Sequence, residues 1–318
     1  MIWIAGAGAF GSALAVSMAQ LGPVCLWSHD PKHVGQMCAD RENKKRLSGF
    51  ALPESIEVSS RLDPAKDDIV LLAIPTQKLR GFLKEAKGNL RKTHLVACCK
   101  GMEVGTGLGP TQIISEAFPK ATIAILTGPS FAADIARGLP TALTLGCASV
   151  AAGTRFQTNL STPNIRIYRT SDVTGAELGG ALKNVIAIAC GVAIGAGLGD
   201  SARAALMTRG FAEIVRVAEM RGALRETLTG LSGFGDLVLT CTSDQSRNYQ
   251  FGLSIGQGFG FDTDVTVEGA ATARAMVDSA ADLGVDLPVT RAVCGLVQGE
   301  LKVADAMAML FSRPLKYE

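Results

Sequence analysis

Histidine is nearly absent. The chain has three, His29, His33 and His94, and none beyond residue 94. A reaction that needs a proton donor from the second half must find another group, and an ammonium is the next candidate. Lysine is scarce there too, with only Lys183, Lys302 and Lys316 after residue 120. No charge of one sign dominates: 31 Lys and Arg face 29 Asp and Glu, for a formal net charge of +2, which argues against nucleic acid or an anionic membrane surface as the main partner. The eight cysteines are scattered, with no CxxC pair at metal-ligand spacing, so reduced thiols, no metal and a cytoplasmic location are expected. A first strand that starts at residue 2 leads to the further expectation that the protein is not exported. No membrane span is expected either. The charge-free apolar stretch 185–199 falls short of the roughly 20 residues a spanning helix needs and reads as a buried core helix. Its glycines at 191, 195 and 199 suit close helix packing and then a stop, with Asp200 and Ser201 placed to cap the next helix.

What is present begins at once. Ile2-Trp3-Ile4-Ala5 is a short apolar strand that runs into Gly6, Gly8 and Gly11 at G-x-G-x-x-G spacing, and then into helix formers. Gly6 lets the chain turn tightly, Gly8 lets backbone approach a pyrophosphate, and Gly11 lets helix and strand pack closely. A second strand at Val24 to Trp27 arrives where a β-α-β unit needs it. Nearly continuous apolar runs at 69–74, 94–99, 122–126 and 141–145 read as strands buried on both faces. From about Asp172 the pattern changes to alanine-rich helical segments, roughly 173–194, 201–221, 268–283 and 289–310. The fold class expected is α/β: a Rossmann-like doubly wound sheet over 1–170, expected to bind NAD(P), joined to an all-α domain over 171–318, expected to bind substrate and carry the catalytic group. The cleft between them is the default place for chemistry.

The tip of the second strand, where an acidic residue would select NAD, reads Ser28-His29-Asp30. The tip itself is not acidic, and His29, Lys32, His33 and Arg46 are available to a 2′-phosphate, so NADP(H) is expected ahead of NAD(H). Among the late lysines Lys302 and Lys316 sit with other charges, whereas Lys183 stands inside a helix of apolar and small residues where a charge needs a task or a partner. A glycine-rich turn, Gly230 to Gly235, presents Asp236. Ten residues later Ser246-Arg247-Asn248 opens a helix with hydroxyl, guanidinium, amide and backbone N–H donors together, a set that suits a phosphate or, for the serine alone, an ordinary N-cap.

These segments, with Cys99 to Glu103, Thr127 to Ala132, Leu198-Gly199-Asp200 and Val267-Glu268-Gly269, resemble bacterial-type NAD(P)-dependent glycerol-3-phosphate dehydrogenase over essentially the whole chain. The resemblance implies reversible reduction of dihydroxyacetone phosphate to sn-glycerol 3-phosphate, a supply for phospholipid synthesis. It implies that Lys183 exchanges the proton, with Lys100 and Asp236 completing the polar site. Substrate contacts would fall at Lys100, Gly128, Ser130, Lys183, Asp236, Ser246, Arg247 and Asn248. Cofactor contacts would fall at Ala9, Phe10, His29, Lys100, Ala132, Arg247, Thr266 and Glu268, beside Gly6, Gly8, Gly11 and Arg46. The chain departs from the family at Ala9-Phe10, often Ser-Trp, at Arg46, commonly Tyr, and at Ser201, often Asn. These departures bear on cofactor preference and not on reaction type. A 3-hydroxyacid dehydrogenase shares the plan but commonly carries Asn four residues after its lysine, where this chain has Ala187. A non-catalytic NADP-binding sensor would not need Lys183, Asp236 and Arg247 together. The apolar helices of the second half suit a homodimer and a monomeric core equally.

Overall fold

The structure, a computed structural model, describes residues 1–261 and 266–311, so Lys316 lies outside the described residues. It divides into two compact units, Met1–Lys100 with Gly109–Glu177, and Gly101–Leu108 with Leu178–Glu318. The division falls seven residues later than the 170/171 boundary read from the sequence and assigns the short segment 101–108 to the second unit.

The first unit contains strands β1 (Ile2–Ala5), β2 (Val24–Trp27), β3 (Glu42–Asn43), β4 (Leu47–Ala51), β5 (Ile56–Ser59), β6 (Ile69–Leu72), β7 (His94–Ala97), β8 (Ile123–Thr127), β9 (Thr141–Gly146) and β10 (Ile165–Thr170). Its helices are α1 (Ala9–Met18), α2 (Pro31–Asp40), α3 (Thr76–Glu85), α4 (Lys87–Leu90), α5 (Pro110–Ala117), α6 (Ala132–Ala136) and α7 (Val150–Leu160). Eight strands form one sheet in the order β10-β9-β8-β7-β6-β1-β2-β5. β1 pairs in parallel with both β2 and β6, which puts the glycine turn after Ala5 at the point where the strand order reverses, the usual place for a ligand in such sheets. The central strands are buried end to end, as their sequence requires: Val70, Leu71, Leu72, Leu95, Val96 and Ala97 are fully enclosed.

Four features are not read from the sequence. β3 and β4 form a separate antiparallel hairpin, β5 extends the sheet beyond β2, β9 runs antiparallel to β8, and β10 adds a parallel strand beside β9. The reversal has a simple cause. The only helix between β8 and β9 is α6, five residues long, and five residues rise roughly 7 Å, too little to carry the chain back along strands roughly 17 Å long.

In the second unit the helices are α8 (Val173–Gly195), whose first turn belongs to the first unit, α9 (Gly199–Met220), α10 (Arg225–Thr229), α11 (Asp236–Cys241), α12 (Arg247–Gln257), α13 (Glu268–Leu283), α14 (Pro288–Val297) and α15 (Val303–Phe311). The stretch 289–310, read as one helix, is two. Gly299 takes φ 73°, and the amides of Glu300 and Leu301 turn back to the Gly295 carbonyl at 2.9 and 3.1 Å, which closes α14. Asp200 does not cap α9. It lies in the first turn and pairs with Arg203 at 2.9 Å. Among the described residues α8 is the one helix long and apolar enough to cross a membrane, and 89% of its apolar window is buried inside the protein. It packs backbone to backbone on α12: a Cβ at Gly191 would lie 2.7 Å from the Leu253 nitrogen, and one at Gly195 would lie 3.1 Å from that of Gln257.

Candidate active site

In the first unit the site is made mostly of backbone. Gly6 has φ 120°, a conformation that L side chains rarely adopt, and an added Cβ would strike the backbone of Ala73. An added Cβ at Gly11 would land on the Gly6 carbonyl oxygen, so the bare backbone at this position is what lets α1 sit against the turn. Gly8 differs: a Cβ there would meet nothing within 4 Å. Helix α1 starts at Ala9 with no side-chain cap and no acidic residue in its first turn, so no capping side chain satisfies the first N–H groups of the helix. Room above Gly8 and uncapped positive dipole ends fit a pyrophosphate.

At the end of β2, His29 is exposed, with its ring centroid 6.4 Å from that of Trp27. Asp30, the nearest acid, caps α2 by accepting from the Lys32 amide at 2.9 Å. Hydrogen bonds from the His33 and Lys32 backbone hold its carboxyl below the usual range. His33 does not face outward as the sequence suggested. It is buried, with Nε2 2.9 Å from Oδ1 of Asn43. Arg46 is exposed in the turn of the β3–β4 hairpin.

Farther along the sheet, Lys100 Nζ donates to the Gly128 carbonyl at 2.9 Å, and Ser130 Oγ donates to the same oxygen at 3.1 Å. Gly128, at φ 134°, follows β8 directly. Ala132 opens α6. The first unit thus brings Lys100, Gly128 and Ser130 together as one polar cluster.

The second unit builds its site around Lys183. Gly179, one turn earlier on α8, allows close approach by the glycine-rich turn: a Cβ there would lie 2.8 Å from the Ser232 carbonyl oxygen and 2.9 Å from Gly233 Cα. That turn, Leu231–Gly235, is a π-helical loop, a form that often marks functional sites, and it leads straight into α11 with Asp236 as its first residue. The result is a buried pair. Lys183 Nζ donates to Asp236 Oδ1 at 2.8 Å and to Thr240 Oγ1 at 2.5 Å, with side-chain exposures of 8% for the lysine and 1% for the aspartate. The sequence reading did not single out Thr240, although it stands four residues after Asp236 on the same helix face, and that spacing was the available signal.

Ser246 is the N-cap of α12, its Oγ accepting from the Tyr249 amide at 3.2 Å, and Arg247 is the exposed first helical residue. Asn248 ties three helices: Nδ2 donates to Asn184 Oδ1 of α8 at 3.0 Å, and Oδ1 accepts from the Gly269 amide of α13 at 2.9 Å. The start of α13, with Glu268 half-buried and Thr266 exposed just before it, is therefore held beside Arg247 and Asn248.

Two family descriptions match the chain in sequence: NAD-dependent glycerol-3-phosphate dehydrogenase N-terminus over residues 1–152, and the C-terminus of the same enzyme over residues 172–308. The chain is 55% identical over 316 residues to a glycerol-3-phosphate dehydrogenase (NAD(P)+) of Ruegeria sp. (strain TM1040), covering 99% of each. It is 56% identical over 318 residues to that of Roseobacter denitrificans, covering 100% of this chain and 99% of the relative. Among solved structures it is similar to glycerol-3-phosphate dehydrogenase from Coxiella burnetii, with a TM-score of 0.91, 33% identity and 98% of each chain covered.

Proposed function

The chain belongs to the NAD-dependent glycerol-3-phosphate dehydrogenase family, and from that premise we propose that it reduces dihydroxyacetone phosphate reversibly to sn-glycerol 3-phosphate, with Lys183 exchanging the proton. When bound, NAD(P)H would supply the hydride for C2 of the ketone. Lys183 gives its proton to the C2 oxygen as negative charge develops there, and in the reverse direction takes the proton back from the alcohol. Asp236 accepts a hydrogen bond from the lysine and aims it, and Thr240 fixes the second hydrogen-bond direction. The observation that carries this reading is the buried Lys183–Asp236 pair, because it sets an ammonium in an apolar helix whose unit has no histidine to do the work.

Arg247 and the first turn of α12 grip the phosphate, the guanidinium as a two-pronged donor and the helix N-terminus through backbone N–H groups. Ser246 and Asn248 contribute chiefly by holding that turn in place, since both side chains are engaged within the unit. Lys100, Gly128 and Ser130 form the remaining polar contacts. Gly6, Gly8, Ala9, Phe10 and Gly11 hold the pyrophosphate, with Ala132, Thr266 and Glu268 along the rest of the cofactor. His29 and Arg46 meet the 2′-phosphate, which makes NADPH the preferred reductant. All eight cysteines are free thiols, which suits a reducing cytoplasm, and a homodimer is the assembly to test by mass in solution.

Following NADPH and NADH oxidation in parallel with dihydroxyacetone phosphate tests the reading. Turnover with this ketone and not with 3-hydroxyisobutyrate in the oxidative direction supports it, with kcat/KM higher for NADPH. Lack of turnover on dihydroxyacetone phosphate rejects it, and a preference for NADH rejects the 2′-phosphate part alone.

A further inference from the structure

Asn43 is 1% exposed, and its amide makes four hydrogen bonds. Nδ2 donates to the Ala7 carbonyl at 3.0 Å and to Ser12 Oγ at 2.7 Å. Oδ1 accepts from the Arg46 amide at 3.2 Å and meets His33 Nε2 at 2.9 Å. A carbonyl can only accept and a backbone N–H can only donate, so Ala7 and Arg46 together fix which end of the amide is which. With both Nδ2 hydrogens engaged, Oδ1 must accept from the imidazole, and the proton of His33 sits on Nε2. One side chain therefore uses all its bonding capacity to join the glycine turn, the first turn of α1, helix α2 and the β3–β4 hairpin.

We propose that Asn43 is a positioning residue for the cofactor, held in register by His33: it orients the Ala7–Gly8 peptide that faces the pyrophosphate and anchors the hairpin that carries Arg46. The inference rests on the functional reading above. The Ala7 carbonyl, pulled inward by Nδ2, leaves the neighbouring N–H groups turned toward the open side of the turn. The Arg46 amide, bound to the Asn43 carbonyl at 3.1 Å as well as to Oδ1, sets where the guanidinium emerges. A single amide thus aligns both phosphate-bearing regions of the ADP half, and its loss weakens affinity and discrimination together.

Calorimetric titration of NADPH and NADH into the whole protein, beside steady-state kinetics, reads this directly. In Asn43→Ala the Kd for NADPH is expected to rise about tenfold or more, on the scale of one or two lost buried hydrogen bonds. The NADPH-to-NADH preference is expected to shrink, and the KM for dihydroxyacetone phosphate to stay within about twofold. His33→Gln, which restores a donor, should bind NADPH like the parent, while His33→Ala should not. A folded Asn43→Ala with parental NADPH affinity overturns the proposal. If that variant does not fold, the His33 pair decides: equal affinity for Gln and Ala overturns it, and rescue by Gln alone supports it. A parent protein that binds neither nucleotide would refute the functional reading itself.

Discussion

In the first unit the proposed pyrophosphate site is backbone: Gly6, Gly8 and Gly11 shape it by having no side chains, and the uncapped N-terminus of α1 would supply its polarity. In the second unit the proposed proton-exchange site is side chain: an ammonium, a carboxylate and a hydroxyl meet within 2.5 to 3.4 Å inside a helical core. The two face different risks. A backbone site fails when atoms are added, and a buried ion-pair site fails when they are removed.

The largest expected effect tests the second half of that contrast. Asp236→Ala leaves the Lys183 ammonium buried without its counter-ion, which should destabilise the protein by about 3–5 kcal/mol and abolish most activity, read by thermal unfolding and by turnover. Next come the glycines, where the three positions should separate. Gly6→Ala and Gly11→Ala drive a methyl into backbone and should lower stability by about 1–3 kcal/mol. Gly8→Ala meets nothing in the protein, so it should unfold at the parental temperature yet bind NADPH weakly; equal losses of stability at all three positions would remove the distinction. A smaller effect is expected for Arg247→Ala, in which the fold persists and the KM for dihydroxyacetone phosphate rises about tenfold or more, as for a lost charge-assisted contact. An unchanged KM would remove Arg247 from the phosphate site.

The smallest effect concerns pH. Glu213, 2% exposed, caps α14 by accepting from the Val289 and Thr290 amides and the Thr290 hydroxyl at 2.6, 3.1 and 3.0 Å. Burial pushes its carboxyl above the ordinary value despite the opposing pull of those bonds. A carboxyl raised in the folded state binds more protons there, so its contribution to stability is complete below the ordinary carboxylate range and lost as pH rises through the raised value. The stability advantage of the parent over Glu213→Gln should therefore fall as pH increases from about 4 to about 7, measured by thermal melts; an advantage that grows would contradict the burial argument.

What was legible in the sequence follows from the range of the forces involved. The glycine turn could be read because each glycine answers a local need, tight turn, open approach or close packing, expressed within six residues. Lys183 could be read because a charge in an apolar helix is conspicuous without any partner in view. Its partner Asp236 came from the turn that presents it, but Thr240 did not, since its role depends on the π-helical loop setting α11 against α8. His33 misled for a related reason: it belongs to the strand-tip segment in sequence, yet its ring is claimed by Asn43, ten residues on, and a bond to a hairpin of two-residue and five-residue strands leaves no periodic trace. The reversal of β9 and the break at Gly299 depend on connection length and on one left-handed residue, and neither alters the apolar pattern around it.

If Lys183 moves the proton, Lys183→Arg reveals it with the least disturbance. Arginine keeps a cation beside Asp236 but holds its proton at any working pH. Turnover of dihydroxyacetone phosphate should be measured beside calorimetric NADPH binding. In this variant kcat should fall at least about a hundredfold, with NADPH affinity and unfolding temperature close to those of the parent; kcat within a few-fold of the parent would remove Lys183 from the proton transfer.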